Sequence, residues 1–273
     1  MKTSLIAFDL DGTLLDGSGH ISKRTNDVMH AAAARGIHLV AASGRPFSAL
    51  PEDLSACNAI RYAITSNGSS IFTLPDGVRT HACDMQAETV LKVLDIAARV
   101  PWPIEAFIGG RGYSPAAYVR QASDFGLSKT AERYVRSTRT PVEDIYAFIS
   151  DHKGEIEGLN MIVSDPGARK ALQENLAGIN GIFITASTSY YIEMSDARVS
   201  KSASLAHLAG QLKVPMSEVA AFGDSLNDLD LITAAGLGIA MDNALPELKE
   251  AADAVALRND ADGVADFIER YLL

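Results

Sequence analysis

The apolar run Leu5–Phe8 stops at Asp9-Leu10-Asp11-Gly12-Thr13, and no feature constrains the fold more. Four successive apolar residues read as a buried strand. Two carboxylates, two positions apart at its end, need a place where a polar ligand can reach them. In open α/β sheets that place is the crevice beyond the carboxyl ends of the strands. Two further apolar runs end in the same manner: Ile37–Ala42 leads into Ser43-Gly44-Arg45, and Val219–Phe222 leads into Gly223-Asp224-Ser225-Leu226-Asn227-Asp228.

Helical segments separate these runs. Ser22 suits an N-cap and Gly36 a C-terminal stop, with Val28, Ala31, Ala32 and Ala34 forming a small-residue face between them. Tyr62–Thr65 is a weaker third strand. The rhythm returns near the C-terminus. Helices are expected over Ser202–Leu212, Asp228–Ala235, Leu245–Ala252 and Gly263–Leu272, and strands at Leu237–Met241 and Ala254–Leu257. Strands alternating with helices of about 10–15 residues imply a parallel sheet.

The middle reads differently. Val90, Leu91, Leu94 and Ala98 mark an amphipathic helix, and Ile104–Ile108 with the following glycines a strand and turn. Leu159–Val163 and Ile182–Thr185 flank a helix at Ala168–Leu176. A chain of 273 residues has room for two ordinary domains. The expected organisation is a discontinuous α/β core, residues 1–83 and 191–273, with an α+β domain inserted at 84–190.

Composition excludes several classes. Hydrophobic residues make up 47% and charged residues 21%, which fits a globular chain. The net charge of −10 argues against nucleic acid or an anionic membrane as the main partner. Small anionic ligands stay open, since a few local cations can outweigh the global field. Cys57 and Cys83 form no disulfide framework and no paired zinc motif, so a reducing cytoplasm is the expected location. No apolar stretch reaches the length of a signal core or a membrane span.

Asp9 and Asp11 can hold a hard cation, or divide labour as nucleophile and proton carrier. Gly12 lets the chain turn away, and Thr13 adds a hydroxyl and an N–H. Ser43 and Gly44 can cradle a phosphate, although alone they read better as a plain turn. Asp224 and Asn227 bring more polar groups to a strand end, and either also suits a helix cap. Lys201 stands just before the Ser202–Leu212 helix; alone it reads as a solvated surface group, but its position suits the cation that a crowded anionic site needs.

These motifs, in this order, resemble the haloacid dehalogenase superfamily, and within it the Cof-type, type IIB phosphatases. Asp9-x-Asp11-Gly12-Thr13 matches motif I, Ser43 motif II, Lys201 motif III, and Gly223-Asp224-x-x-Asn227-Asp228 motif IV. Ser66-Asn67-Gly68, Glu193, Ala240-Met241-Asp242-Asn243-Ala244 and Asp262-Gly263-Val264-Ala265 are supporting matches. The resemblance implies a Rossmann-like parallel-sheet core with a C2-type cap. It implies Asp9 as nucleophile and Asp11 as acid and base. Ser43, Gly44, Lys201 and Asn227 would hold the phosphoryl group. Asp9, the Asp11 backbone carbonyl and Asp224 would hold Mg²⁺, and Asp228 would orient the others. Thr13, Arg45 and Asn67 are further candidates for support or substrate contact. Ser202, Asp242 and Asp196-Ala197-Arg198 depart from the common pattern.

The expected function is Mg²⁺-dependent hydrolysis of small phosphomonoesters through an aspartyl-phosphate, by a protein expected to be monomeric. A phosphomutase or phosphotransferase would use the same intermediate, and a phosphate-ester sensor is the non-catalytic alternative. Dehalogenation is disfavoured, because it has no leaving alcohol for Asp11 to protonate. Tyr190, Tyr191 and Trp102 are expected to pack in a core, and His20 to be a solvated loop residue.

Overall fold

The computed structural model describes residues 2–273. Its fourteen strands, in chain order, are β1 Leu5–Phe8, β2 His38–Ala42, β3 Tyr62–Thr65, β4 Ser70–Thr73, β5 Arg79–Ala82, β6 Ile104–Ile108, β7 Arg111–Pro115, β8 Arg139–Val142, β9 Ile156–Ile162, β10 Ile182–Thr185, β11 Tyr191–Asp196, β12 Val219–Gly223, β13 Leu237–Met241 and β14 Ala254–Ala256. The chain divides into two compact units. One comprises the chain up to Arg45 with Leu50–His81 and Ser200–Leu273; the other is Pro46–Ala49 with Ala82–Val199.

The first unit holds an eight-stranded sheet in the order β14-β13-β12-β1-β2-β3-β4-β5. Strands β14 through β3 run parallel, and β4 returns antiparallel to β3. Both faces are buried. Leu5, Ala7, Val40, Ile64, Val219 and Ala221 pack with Leu205, Leu208 and Leu231 from the helices, while Ile6, Phe8, Leu39 and Phe222, the alternate residues, are also buried. That explains the continuous apolar runs, since a parallel strand covered on both sides has no polar face to show. Each such Leu, Ile or Phe contributes about 1.5–3 kcal/mol.

The strand order reverses at β1. From it the chain steps to β2 and β3 on one side, and later to β12, β13 and β14 on the other. A crevice opens at such a switch point, at the carboxyl ends of the strands. The helix Lys23–Ala34 is capped by Ser22, whose hydroxyl accepts from the Thr25 N–H. The helix Lys201–Gln211 is capped by Ser200, which accepts from the Ala203 N–H. The helix expected over Asp228–Ala235 is shorter, Leu229–Ala234, after a 3₁₀ turn at Leu226–Asp228. The closing helix changes to π-type winding at Ile268–Leu272.

The second unit is a six-stranded sheet in the order β10-β11-β9-β6-β7-β8, antiparallel except for the β7/β8 pair. The helices Ala87–Ala97, Ile145–Asp151 and Pro166–Ala177 bury Val90, Val93, Ile149 and Leu172 against Ala106, Leu159, Met161, Ile192 and Met194. The intervening residues form a polar row across three strands, with Asn160 opposite both Glu105 and Glu193. Glu105 is paired with the buried Arg139 and accepts from the Ser114 hydroxyl. Trp102 packs against the helix-covered core, and Tyr191 is buried with Tyr118, Val119 and Leu127.

The expected boundary at residue 191 differs from the structure. Strand β11 lies in the second sheet, paired with β9 and β10, because Ile192 and Met194 fill that unit's core. The unit therefore runs on to Val199, and it also takes Pro46–Ala49, where the Ser48 N–H donates to the Gly110 carbonyl at 2.8 Å.

Candidate active site

The carboxyl ends of the first sheet carry the expected residues: Asp9 follows β1, Ser43 follows β2, Asp224 follows β12. Parallel pairing of β1 with β2 and β12 puts Phe8 level with Ala41 and Phe222. The Asp9 N–H donates to the Phe222 carbonyl at 3.0 Å, so the last rung of the ladder fixes the nucleophile candidate's backbone.

Lys201 joins the motifs. It is fully buried, and its Nζ donates to Asp9 Oδ1 at 2.6 Å and to Asp228 Oδ1 at 2.6 Å. The other oxygen of Asp228 accepts the Asp224 and Ser225 N–H groups, each at 3.1 Å. Both Asp228 oxygens are thus engaged, which makes it a brace for Lys201 and the motif IV turn. Asp224 takes the Thr13 hydroxyl on Oδ1 and the Ser225 hydroxyl on Oδ2, each at 3.1 Å. Among the described residues Oδ2 of Asp9 accepts no hydrogen bond.

Asp9, Asp224 and Asp228 offer carboxylate oxygens within 4.8 Å of one another. Burial, and next the Asp228 carboxylate, push the Asp9 carboxyl well above its ordinary range. The same two causes push Asp224 up to about 6. For Lys201 burial opposes the charge, yet Asp228 and Asp9 outweigh it and hold the ammonium firmly protonated. Three buried or half-buried carboxylates facing one lysine leave an excess of negative charge, which is costly unless a cation joins them. An all-oxygen donor set suits a hard divalent ion. The residues therefore fit a divalent metal, with Asp9 and Asp224 as the carboxylates left to hold it.

Gly12 is required at this spot. Its φ is +82°, and a Cβ there would lie 2.5 Å from Asp224 Oδ2, so any side chain would displace the carboxylate.

Asp11 stands apart from the trio. Its carboxylate is held by Arg45, Nε to Oδ2 at 2.7 Å and Nη2 to Oδ1 at 2.6 Å, and its side chain is 59% exposed. Ser43 is buried, and its hydroxyl accepts from the Arg45 N–H at 3.2 Å. Gly44 lies in the loop between them. Asn227 is buried and donates to Asn67 Oδ1 at 3.1 Å. His20 lies outside the group, against Asp53 at 3.0 Å.

Three supporting residues were not assigned roles from sequence. Ser225 is the N-cap of the motif IV turn, in a reciprocal capping box with Asp228, rather than Asp224 or Asn227. The S-x-x-D spacing is a legible sign of such a cap. Asn243 donates to the Gly12 carbonyl at 2.8 Å and accepts from the Asn259 N–H at 3.0 Å. Asn259 in turn donates to the Leu15 carbonyl at 2.8 Å, so the two asparagines tie down the turn after Asp9. Nothing local in the sequence signals that pairing.

Comparison with known proteins identifies the family. The family model of haloacid dehalogenase-like hydrolases matches residues 6–268. Phosphatase YwpJ of Bacillus subtilis is 28% identical, with 98% of this chain and 99% of that protein covered. The 5-amino-6-(5-phospho-D-ribitylamino)uracil phosphatase YcsE of the same organism is 29% identical, with 98% and 96% covered. Among solved structures, a haloacid dehalogenase-like hydrolase from B. subtilis superposes with a TM-score of 0.86 at 26% identity, covering 99% of this chain and 100% of the other. With nearly its whole length matched, the chain belongs to the haloacid dehalogenase-like hydrolases and is an enzyme of the phosphatase kind.

Proposed function

We propose that this enzyme hydrolyses small phosphomonoesters with Mg²⁺ through an aspartyl-phosphate. The observation that carries the proposal is the pairing of Lys201 with Oδ1 of Asp9 while, among the described residues, none donates to Oδ2. One oxygen is anchored and the other is presented.

Oδ2 of Asp9 attacks phosphorus, the Asp–O–P bond forms, and the ester P–O bond breaks. Asp11, protonated once it is turned away from Arg45, gives its proton to the departing alkoxide. It then takes one from the water that cleaves the acyl-phosphate, which releases phosphate and restores Asp9. Ser43, Gly44, Lys201 and Asn227 hold the phosphoryl oxygens, and Asp228 keeps Lys201 in place. Mg²⁺ bound by Asp9, the Asp11 carbonyl and Asp224 supplies positive charge that offsets the dianionic phosphate. Transfer of this kind rests mainly on positioning and electrostatics, which fits a site built of fixed buried charges. A phosphorylated polyol or sugar is the favoured substrate class, since the relative YcsE is named for a phospho-ribityl compound.

Hydrolysis of an aryl phosphate tests the reading. Turnover should need Mg²⁺, stop with EDTA, and fall to background in Asp9→Asn. Activity that survived Asp9→Asn would defeat the nucleophile assignment.

A further inference from the structure

Asn67 lies at a backbone knuckle that touches three of the four motifs. Ser66, Asn67 and Gly68 follow β3 with φ of 50°, 55° and 110° in succession. Non-glycine residues seldom take that state, and asparagine does so more readily than serine. The surroundings hold the knuckle there. The Ser66 N–H donates to the Arg45 carbonyl at 2.9 Å, and the Asn67 N–H donates to the Ser43 carbonyl at 3.1 Å. A Cβ on Gly68 would lie 2.2 Å from the Ser200 carbonyl, next to Lys201. The Ser204 hydroxyl donates to the Gly68 carbonyl.

From this fixed point the Asn67 carboxamide oxygen accepts one N–H of Asn227 at 3.1 Å, and both side chains are buried. A carboxamide has two N–H groups and one carbonyl. Holding one N–H fixes which way the amide faces, so the other N–H is left for a ligand. Released, the group could turn and present its carbonyl to an anion.

We propose that Asn67 is a positioning residue that acts through Asn227, setting its amide to donate to a phosphoryl oxygen. The proposal rests on the phosphatase reading, in which Asn227 holds the phosphoryl group.

A double-mutant cycle with Asn67→Gly and Asn227→Ala tests it. Glycine keeps the left-handed backbone and the Ser43 hydrogen bond but removes the carboxamide. The readouts are aryl phosphate kcat and KM, inhibition by orthovanadate, and the melting temperature. Asn67→Gly should melt within a few degrees of the wild type. It should weaken orthovanadate inhibition and kcat/KM by roughly 10-fold to 100-fold, as for loss of a hydrogen bond to a charged group. In the Asn227→Ala background the same change should add less than about 3-fold, because the pathway is already cut. Losses that multiply in full in the double variant would overturn the proposal. So would a single Asn67→Gly variant as active as the wild type, and these outcomes leave the phosphatase reading standing. A wild type that neither hydrolyses aryl phosphate nor binds orthovanadate would defeat that reading, and this assignment with it.

Discussion

At the scale of the residue, Lys201 and Asp228 carry opposite charges with no exposed side-chain surface. An ion pair so deep is held together by geometry. Removing one member leaves the other charge uncompensated, at a cost of about 3–5 kcal/mol. Asp228→Ala also strips two backbone N–H groups of their acceptor. We expect it to lower the melting temperature by roughly 6–20 °C, at about 2–4 °C per kcal/mol for a chain of this size. Aryl phosphate hydrolysis should fall with it, because Lys201 would lose the brace that aims it at Asp9. A variant that melted as the wild type does would show that the pair contributes nothing net. The carboxylates of this cluster are legible because apolar runs lead into them, whereas Lys201 stands out only by its place before a helix and in the motif order. The partner of Lys201 was not legible, because 192 positions separate it from Asp9.

At the scale of the element, the helix Lys201–Gln211 accounts for one departure from the family pattern. Ser202 donates from both its N–H and its hydroxyl to Asp230 Oδ2, at 3.1 and 2.7 Å. That clamp joins the helix to the one after β12 and touches no residue of the site. Ser202→Gly should therefore cost about 1 kcal/mol, from a lost hydrogen bond and glycine's helix penalty. Its kcat/KM should stay unchanged. A large loss of activity with unchanged melting would contradict this division. The parallel strands were readable because continuous apolar runs have few other uses. Strand β11 carries only a short signal, the alternation Ile192-Glu193-Met194-Ser195. Its polar members are buried on the second sheet, and polar residues in a strand signal exposure by default. Strand β5, Arg79-Thr80-His81-Ala82, carries no apolar run because it is an edge strand.

At the scale of the whole molecule, stability should depend on pH and cation together. Asp224 has a folded pKa of about 6, above its ordinary value, and Asp9 moves in the same direction. Between about pH 4 and pH 6 the folded state then binds more protons than the unfolded state. Stability should fall as pH rises through that window in the metal-free protein. A cation reverses the trend, because it binds the deprotonated carboxylates and only in the folded state. Thermal melts in EDTA should therefore show a decline from pH 4 to pH 6, and added Mg²⁺ should raise the melting temperature more at pH 7 than at pH 5. A cation response equal at both pH values would count against these carboxylates as its ligands. Among the described residues no helix is long and apolar enough to cross a membrane.

By itself the sequence determined a parallel α/β sheet and the carboxylates at its strand ends. Both follow from local patterns, the length of an apolar run and the polar turn that stops it. Tertiary structure alone decided that Lys201 reaches Asp9 and Asp228, that Asp11 is held by Arg45, and that Asn67 meets Asn227. It also decided that β11 belongs to the second sheet. Those contacts join residues far apart in the chain. Their geometry is set by which strands pair and which faces pack, and no spacing along the sequence encodes that.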